Sequence, residues 1–483
     1  MRSWTTRLLV FASLLWWAPA ALAGSGVPAD PSEVTFRTLD NGVRVLVKEN
    51  HGASLVSIQV WVRVGSRYET RENNGISHVL EHMVFRGSAS LGADELKRQI
   101  EGVGGYVNAE TARDSTRFEA LVTTQFYART LSALADCILH PRVEAKDLAD
   151  EREVIGAELS ARLADPTFEC GEMMSAARFK THPYGLPQGG TPASLRRLDA
   201  NLLREFHSQY YVGPNMSVVV VGDVTAADAV AKVREAFSTA PNRKPPPVAP
   251  PAESPLEGPR KVSKIAPIQQ VVMSLAFSGP GIGTPKDVLA MDVLLTALGE
   301  GATSMLQSRL RGTPPLVTGF EVDYLTQKDP GTLSVTCILP RATMNAVQTA
   351  IRGAIREIRE HPLSDKQLEQ ARNVLEGQYT YQNETAAGQG GSLGFYEAID
   401  SYEFALTYID EFRRVTADQI QAVAARYFDP DAYVLAVVEP PPRGGGLEAR
   451  SWFLPRPAAL ESVQDVAGRV ASTFSALAFQ ELH

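Results

Sequence analysis

The chain has 483 residues, 44% hydrophobic and 21% charged, an ordinary globular balance on a length that implies about two to four domains and excludes a small disulfide-stapled scaffold. Its 47 Lys and Arg against 55 Asp and Glu leave a net charge of −8, which excludes an overall basic footprint for nucleic acid. Cys137, Cys170 and Cys337 are too few and too widely spaced for a disulfide framework or a CxxC thiolate site, though one pair could still bridge.

In chain order, residues 1–23 read as an export signal. Arg2 and Arg7 precede an apolar run from Leu8 to Ala23, which closes on Ala21-Leu22-Ala23, the small-x-small pattern of a cleavage site. The run is short of the roughly 20 residues a spanning helix needs, and Pro19 interrupts it, which favours cleavage over a retained anchor. The expectation is a periplasmic or extracellular protein with no membrane span after signal removal.

Period-two alternation then predicts strands over 43–48 and 56–64, the second being Val56-Ser57-Ile58-Gln59-Val60-Trp61-Val62-Arg63-Val64. A helix is predicted next, at 75–86. On its apolar background of Ile76, Val79, Leu80, Met83 and Val84 stand His78, Glu81 and His82. Taking His78 as zero, about 100° per residue puts Glu81 near 300° and His82 near 40°, so the three share one arc of roughly 100°. Two imidazoles one turn apart can bind one Zn²⁺, and a carboxylate beside them is placed to take a proton from water. With eight His in the chain, chance HxxEH matches are expected on the order of 0.01 times, which favours a metal site over a coincidence.

A helix at 92–102 leads to Gly104-Gly105-Tyr106-Val107-Asn108-Ala109-Glu110-Thr111, which by itself reads as a turn entering an ordinary strand. After a helix at 124–138, a helical stretch at 145–163 carries Glu151 and Glu158. Their spacing of two turns points both one way, whereas Glu153 points elsewhere. Taken alone, such an acidic helix is a solvated face or a source of the third ligand that a catalytic zinc needs. A strand at 217–224 closes the first half.

Eight prolines among the nineteen residues from Pro241 to Pro259 mark an extended linker. The chain divides as 34–240, a linker at 241–260, 261–440, and a tail at 441–483 of unread role. The two halves repeat. Gly279, closing a Val271–Gly279 strand, lies 214 residues after Gly65, and the Tyr427-x-x-Pro430 turn lies 216 after Tyr211-x-x-Pro214. Non-alternating strands and helices predict an α+β class, two related sandwich domains with helices on one face of a mainly antiparallel sheet.

The segments Gly75 to Ser88, Gly104 to Thr111, Glu151 to Glu158 and His182-Pro183-Tyr184-Gly185 resemble the pitrilysin/insulinase zinc metallopeptidases, over about residues 34 to 440. The resemblance implies two such domains facing each other and a third metal ligand at Glu158, with seventy-five residues between it and His82. It further implies Glu151 as a supporting acid, Glu81 as general base, one Zn²⁺ per chain, and Asn108 and Ala109 on an edge strand that takes a peptide substrate. In the second half the offset places Asp292, Leu295 and Thr296 opposite the motif and Arg372 to Val374 opposite Glu158, which cannot rebuild the site. Leu310 to Thr318 departs from the family: Pro314 and Thr318 stand where an Arg and a Tyr that hold substrate are expected. Family members of this length often pair, so the expectation is an exported zinc endopeptidase in a homo- or heterodimer with a related subunit that supplies the missing groups. A non-catalytic scaffold or partner subunit is the alternative.

Overall fold

The computed structural model describes residues 33–442. The export signal at 1–23 and all but the first two residues of the tail at 441–483 lie outside the described residues.

The first half builds one sheet from β1 (Val34–Thr38), β2 (Arg44–Glu49), β3 (Leu55–Val62), β4 (Tyr106–Thr111), β5 (Thr116–Thr123) and β6 (Met216–Gly222), in the order β1-β2-β6-β3-β5-β4. The second half builds another from β7 (Arg260–Ile265), β8 (Val271–Ser278), β9 (Gly319–Tyr324), β10 (Thr332–Leu339) and β11 (Val434–Glu439), in the order β7-β11-β8-β10-β9. Without β1 the two orders coincide strand for strand, and each sheet has its one parallel pair in the same place, β2 with β6 and β7 with β11. This is a two-domain α+β fold, and the offset near 215 in the sequence is a repeated topology. Residues 241–258 between the halves form neither helix nor strand.

Five of the helices concern the candidate site, its counterpart in the second half and the contact between the halves: α1 (Ile76–Phe85), α2 (Ala145–Ala164), α3 (Pro166–Arg178), α4 (Pro285–Gly299) and α5 (Ala386–Ile399). Side chains of α1 and α2 join β3, β5 and β6 in one core, and α4 lies in the corresponding core of the second half. The other face of each sheet is covered as well, by a helix of the half that faces it. Helix α3 of the first half packs on β11, β8 and β7, while α5 of the second half packs on β3 and β6. Each half therefore roofs the other's sheet. That reciprocal cover explains why β3 is buried from Val56 to Val62 despite its alternating polar positions. Gln59 donates from Nε2 to the Ala387 carbonyl at 2.8 Å and accepts from Trp61 Nε1 at 3.1 Å, so the polar face is satisfied beneath α5. At the carboxyl end of α5, the Arg63 guanidinium donates to the carbonyls of Glu397 and Ala398, each at 3.2 Å from Nε, where the helix dipole favours a cation.

Seating α5 needs a residue without a side chain. A Cβ on Gly394 would lie 2.0 Å from Trp61 Nε1, inside the indole. Gly394→Val should therefore push the halves apart at a cost of about 1–3 kcal/mol or more. The expected readout is a lowered thermal midpoint and faster proteolysis between residues 241 and 259; a wild-type midpoint would mean the helix is not held against Trp61.

Candidate metal centre

Helix α1 starts at Gly75, whose φ of +95° is left-handed and suits glycine. The buried carboxylate of Glu69 accepts from Gly75 N at 2.8 Å, Ser77 N at 3.0 Å and Asn74 Nδ2 at 2.9 Å, pairing N–H groups that a helix start leaves open. The apolar face of α1, Ile76 with Val79, Leu80, Met83 and Val84, is fully buried in the first core. With that face fixed inward, His78, Glu81 and His82 turn toward α2 and β4.

There His78 Nε2 lies 3.7 Å and His82 Nε2 3.5 Å from Glu158 Oε2. The three donors lie within 4.8 Å of one another, the only such convergence of His, Cys, Asp and Glu among the described residues. Tetrahedral bonds of about 2.0–2.1 Å put donors roughly 3.4 Å apart, so two imidazole nitrogens and one carboxylate oxygen at this spacing fit a zinc ion. Glu151, two turns before Glu158, accepts from His82 Nδ1 at 2.8 Å, and its other oxygen pairs with Arg86. That hydrogen bond keeps a proton on Nδ1 and leaves Nε2 as the ring nitrogen turned to the cluster. Glu153 is exposed and takes no part.

The charges are set by burial and neighbours. Burial, with His82 adjoining, pushes the His78 imidazole down to about 4 and keeps it neutral, the form that coordinates metal. Burial opposes charge on His82 too, but hydrogen bonds to Glu151 and Glu158 outweigh it and push His82 up to about 10, so without metal both its nitrogens are protonated and Nε2 must release its proton to coordinate. The His82 hydrogen bond holds Glu158 below the usual carboxylate range. Burial pushes Glu81 up to about 7. His78 Nδ1 is buried beside Gly189 without a partner among the described residues.

Asn108 and Ala109 stand on β4, the last strand of its sheet, with Asn108 exposed. Sequence reasoning assigned no role to Thr111, Glu69 or Arg86. Thr111, at the end of β4, donates from Oγ1 to Glu81 Oε2 at 2.6 Å. Its period-two position with Ala109 was the one available signal that it faces α1 and not the side of Asn108.

The second half holds no counterpart among the described residues. Asp292 is buried in α4 and accepts the Tyr408 hydroxyl at 2.7 Å, Thr296 donates to the Asp292 carbonyl at 3.0 Å, and burial pushes Asp292 up to about 7. Thr318 donates to Gln270 Oε1 and the Ile338 carbonyl, at 3.1 and 3.0 Å.

Fold and cluster together describe a peptidase-like chain of one half bearing a candidate site and one half without it. Residues 44–191 match the family described as Insulinase (Peptidase family M16), and residues 197–375 match the Peptidase M16 inactive domain. An uncharacterized zinc protease of Mycobacterium leprae is 30% identical over 410 residues, covering 83% of this chain and 91% of that protein. A probable mitochondrial-processing peptidase subunit beta of Arabidopsis thaliana is 25% identical over 424 residues, covering 84% and 78%. A solved protease from Helicobacter pylori shares the fold, with a TM-score of 0.79 at 22% identity over 84% of this chain and 99% of that one. The chain belongs to the pitrilysin/insulinase family, peptidase family M16.

Proposed function

We propose that the chain is an exported zinc-dependent endopeptidase that hydrolyses peptides or unfolded polypeptides as the catalytic member of a pair. The observation that carries this reading is the approach of His78 Nε2 and His82 Nε2 to Glu158 Oε2, with the Glu81 carboxylate beside them. His78, His82 and Glu158 would hold the ion. When bound, zinc supplies a Lewis acid that polarises the scissile carbonyl and acidifies the attacking water. Glu81 takes a proton from that water and returns it to the leaving amine. Glu151, held by Arg86, keeps the His82 ring in its tautomer. The free edge of β4 with Asn108 and Ala109 receives the peptide by main-chain pairing.

The zinc proteases among the relatives support the metal. Pairing draws support from a relative named as a subunit and from Pro314 and Thr318 in the divergent segment; export rests on residues 2–23. Protein purified without added zinc is expected to carry close to one zinc per chain. A metal-free preparation would instead favour the scaffold alternative. The chain alone should cleave labelled unfolded casein poorly, and full activity as a lone monomer would overturn the pairing.

A further inference from the structure

Thr111 joins two parts of the proposed machinery. It is the last residue of β4, three after Asn108, and its Oγ1 donates to Glu81 Oε2 at 2.6 Å. No other hydrogen-bond donor reaches the Glu81 carboxylate among the described residues, so this hydroxyl alone fixes how the carboxylate is turned.

The hydroxyl is itself held in place. Thr111 pairs with Thr116 across the β4–β5 hairpin, and its carbonyl accepts from Gln188 Nε2 at 3.1 Å, while Gln188 N donates to Glu172 Oε2 at 3.2 Å. In the turn after β4, Ala112 O and Arg113 O accept from Ser66 N and Arg67 N at 3.3 and 2.8 Å. The buried Asp114 accepts the Tyr184 hydroxyl at 2.7 Å and, from the second half, Lys328 N at 3.0 Å. The half without a metal cluster thus clamps the strand end that touches Glu81. A β-branched side chain on a strand fixed this way has few rotamers, so Oγ1 is a donor set in place before substrate arrives.

We propose that Thr111 is a positioning residue for Glu81. Its hydroxyl pins Oε2 and leaves Oε1 to exchange the proton, and its place on the substrate-accepting strand sets the base in register with the bound backbone. This rests on the reading of Glu81 as general base. It also gives the β4–β5 turn, and through it Lys328 of the second half, a purpose beyond architecture.

Thr111→Val keeps the branched shape and removes the donor; Thr111→Ser keeps the donor. In the full chain, with its related subunit where pairing is needed, turnover of fluorescein-labelled casein should fall in Thr111→Val by about 10- to 100-fold in kcat, the factor that losing one charge-assisted hydrogen bond corresponds to. KM and zinc content should hold, and Thr111→Ser should restore most of the lost kcat. A merely structural threonine would not produce this split or the rescue. Independently of turnover, crystals of Thr111→Val should show the Glu81 carboxylate rotated from its wild-type position, and those of Thr111→Ser should not. Wild-type kcat, or an unmoved carboxylate, in Thr111→Val would overturn the proposal. Turnover retained in Glu81→Gln would instead refute the base assignment beneath it, so the two failures are told apart.

Discussion

Glu81→Gln should keep its zinc and lose hydrolysis, with kcat reduced by about 10²- to 10⁴-fold, the usual contribution of a positioned general base. The substitution is nearly isosteric, and the Thr111 hydroxyl can still donate to the amide oxygen in place of Oε2. Burial disfavours charge on Glu81, so a neutral amide there relieves a penalty and should not unfold the helix. The proposed metal donors, His78, His82 and Glu158, should keep their arrangement because α1 is fixed by its apolar face and by Glu69 at its start. Metal analysis and steady-state kinetics on the same preparation separate the two effects. Turnover near wild type would remove Glu81 from the mechanism, whereas zinc lost along with activity would mean the carboxylate helps build the cluster.

How much of this was legible in the sequence depends on how local each feature is. The motif could be read because a helix repeats every 3.6 residues, so spacing alone places His78, Glu81 and His82 on one arc. The duplication could be read because two landmarks recur at offsets of 214 and 216. Glu158 could not be chosen from spacing: Glu151 shares its face two turns away, and which acid meets the histidines is decided by the packing of α2 on α1. The resemblance to the family singled out Glu158, and the geometry brings it to both imidazoles. Reciprocal roofing by α3 and α5 was not readable, because a helix's apolar periodicity says that it is covered and not by which sheet. Its trace was visible only as polar Ser57 and Gln59 on a strand that is buried from Val56 onward. The Thr111 to Glu81 contact is hidden for a similar reason, since a hydroxyl on a strand end carries no pattern that points to its partner.

The two acids on α2 should separate under the same conservative change. Glu158→Gln is expected to abolish stoichiometric zinc, because Oε2 is the one carboxylate oxygen within 4.0 Å of both imidazole Nε2 atoms among the described residues and an amide oxygen is a weak donor without charge to offset the ion. Glu151→Gln should keep zinc with an affinity about 10- to 100-fold lower. Its amide oxygen can still accept from His82 Nδ1, so the tautomer survives, but the amide NH2 then faces the Arg86 Nε–H, donor to donor, and the pairing that holds this side chain is lost. The half-buried guanidinium is then left beside a neutral partner and the His82 ring less firmly held. Zinc retained during dialysis against graded concentrations of chelator reads both variants on one scale. Equal and complete loss in the two would mean that Glu151 shares the coordination, and zinc held by Glu158→Gln as tightly as by the wild type would take Glu158 out of the ligand set.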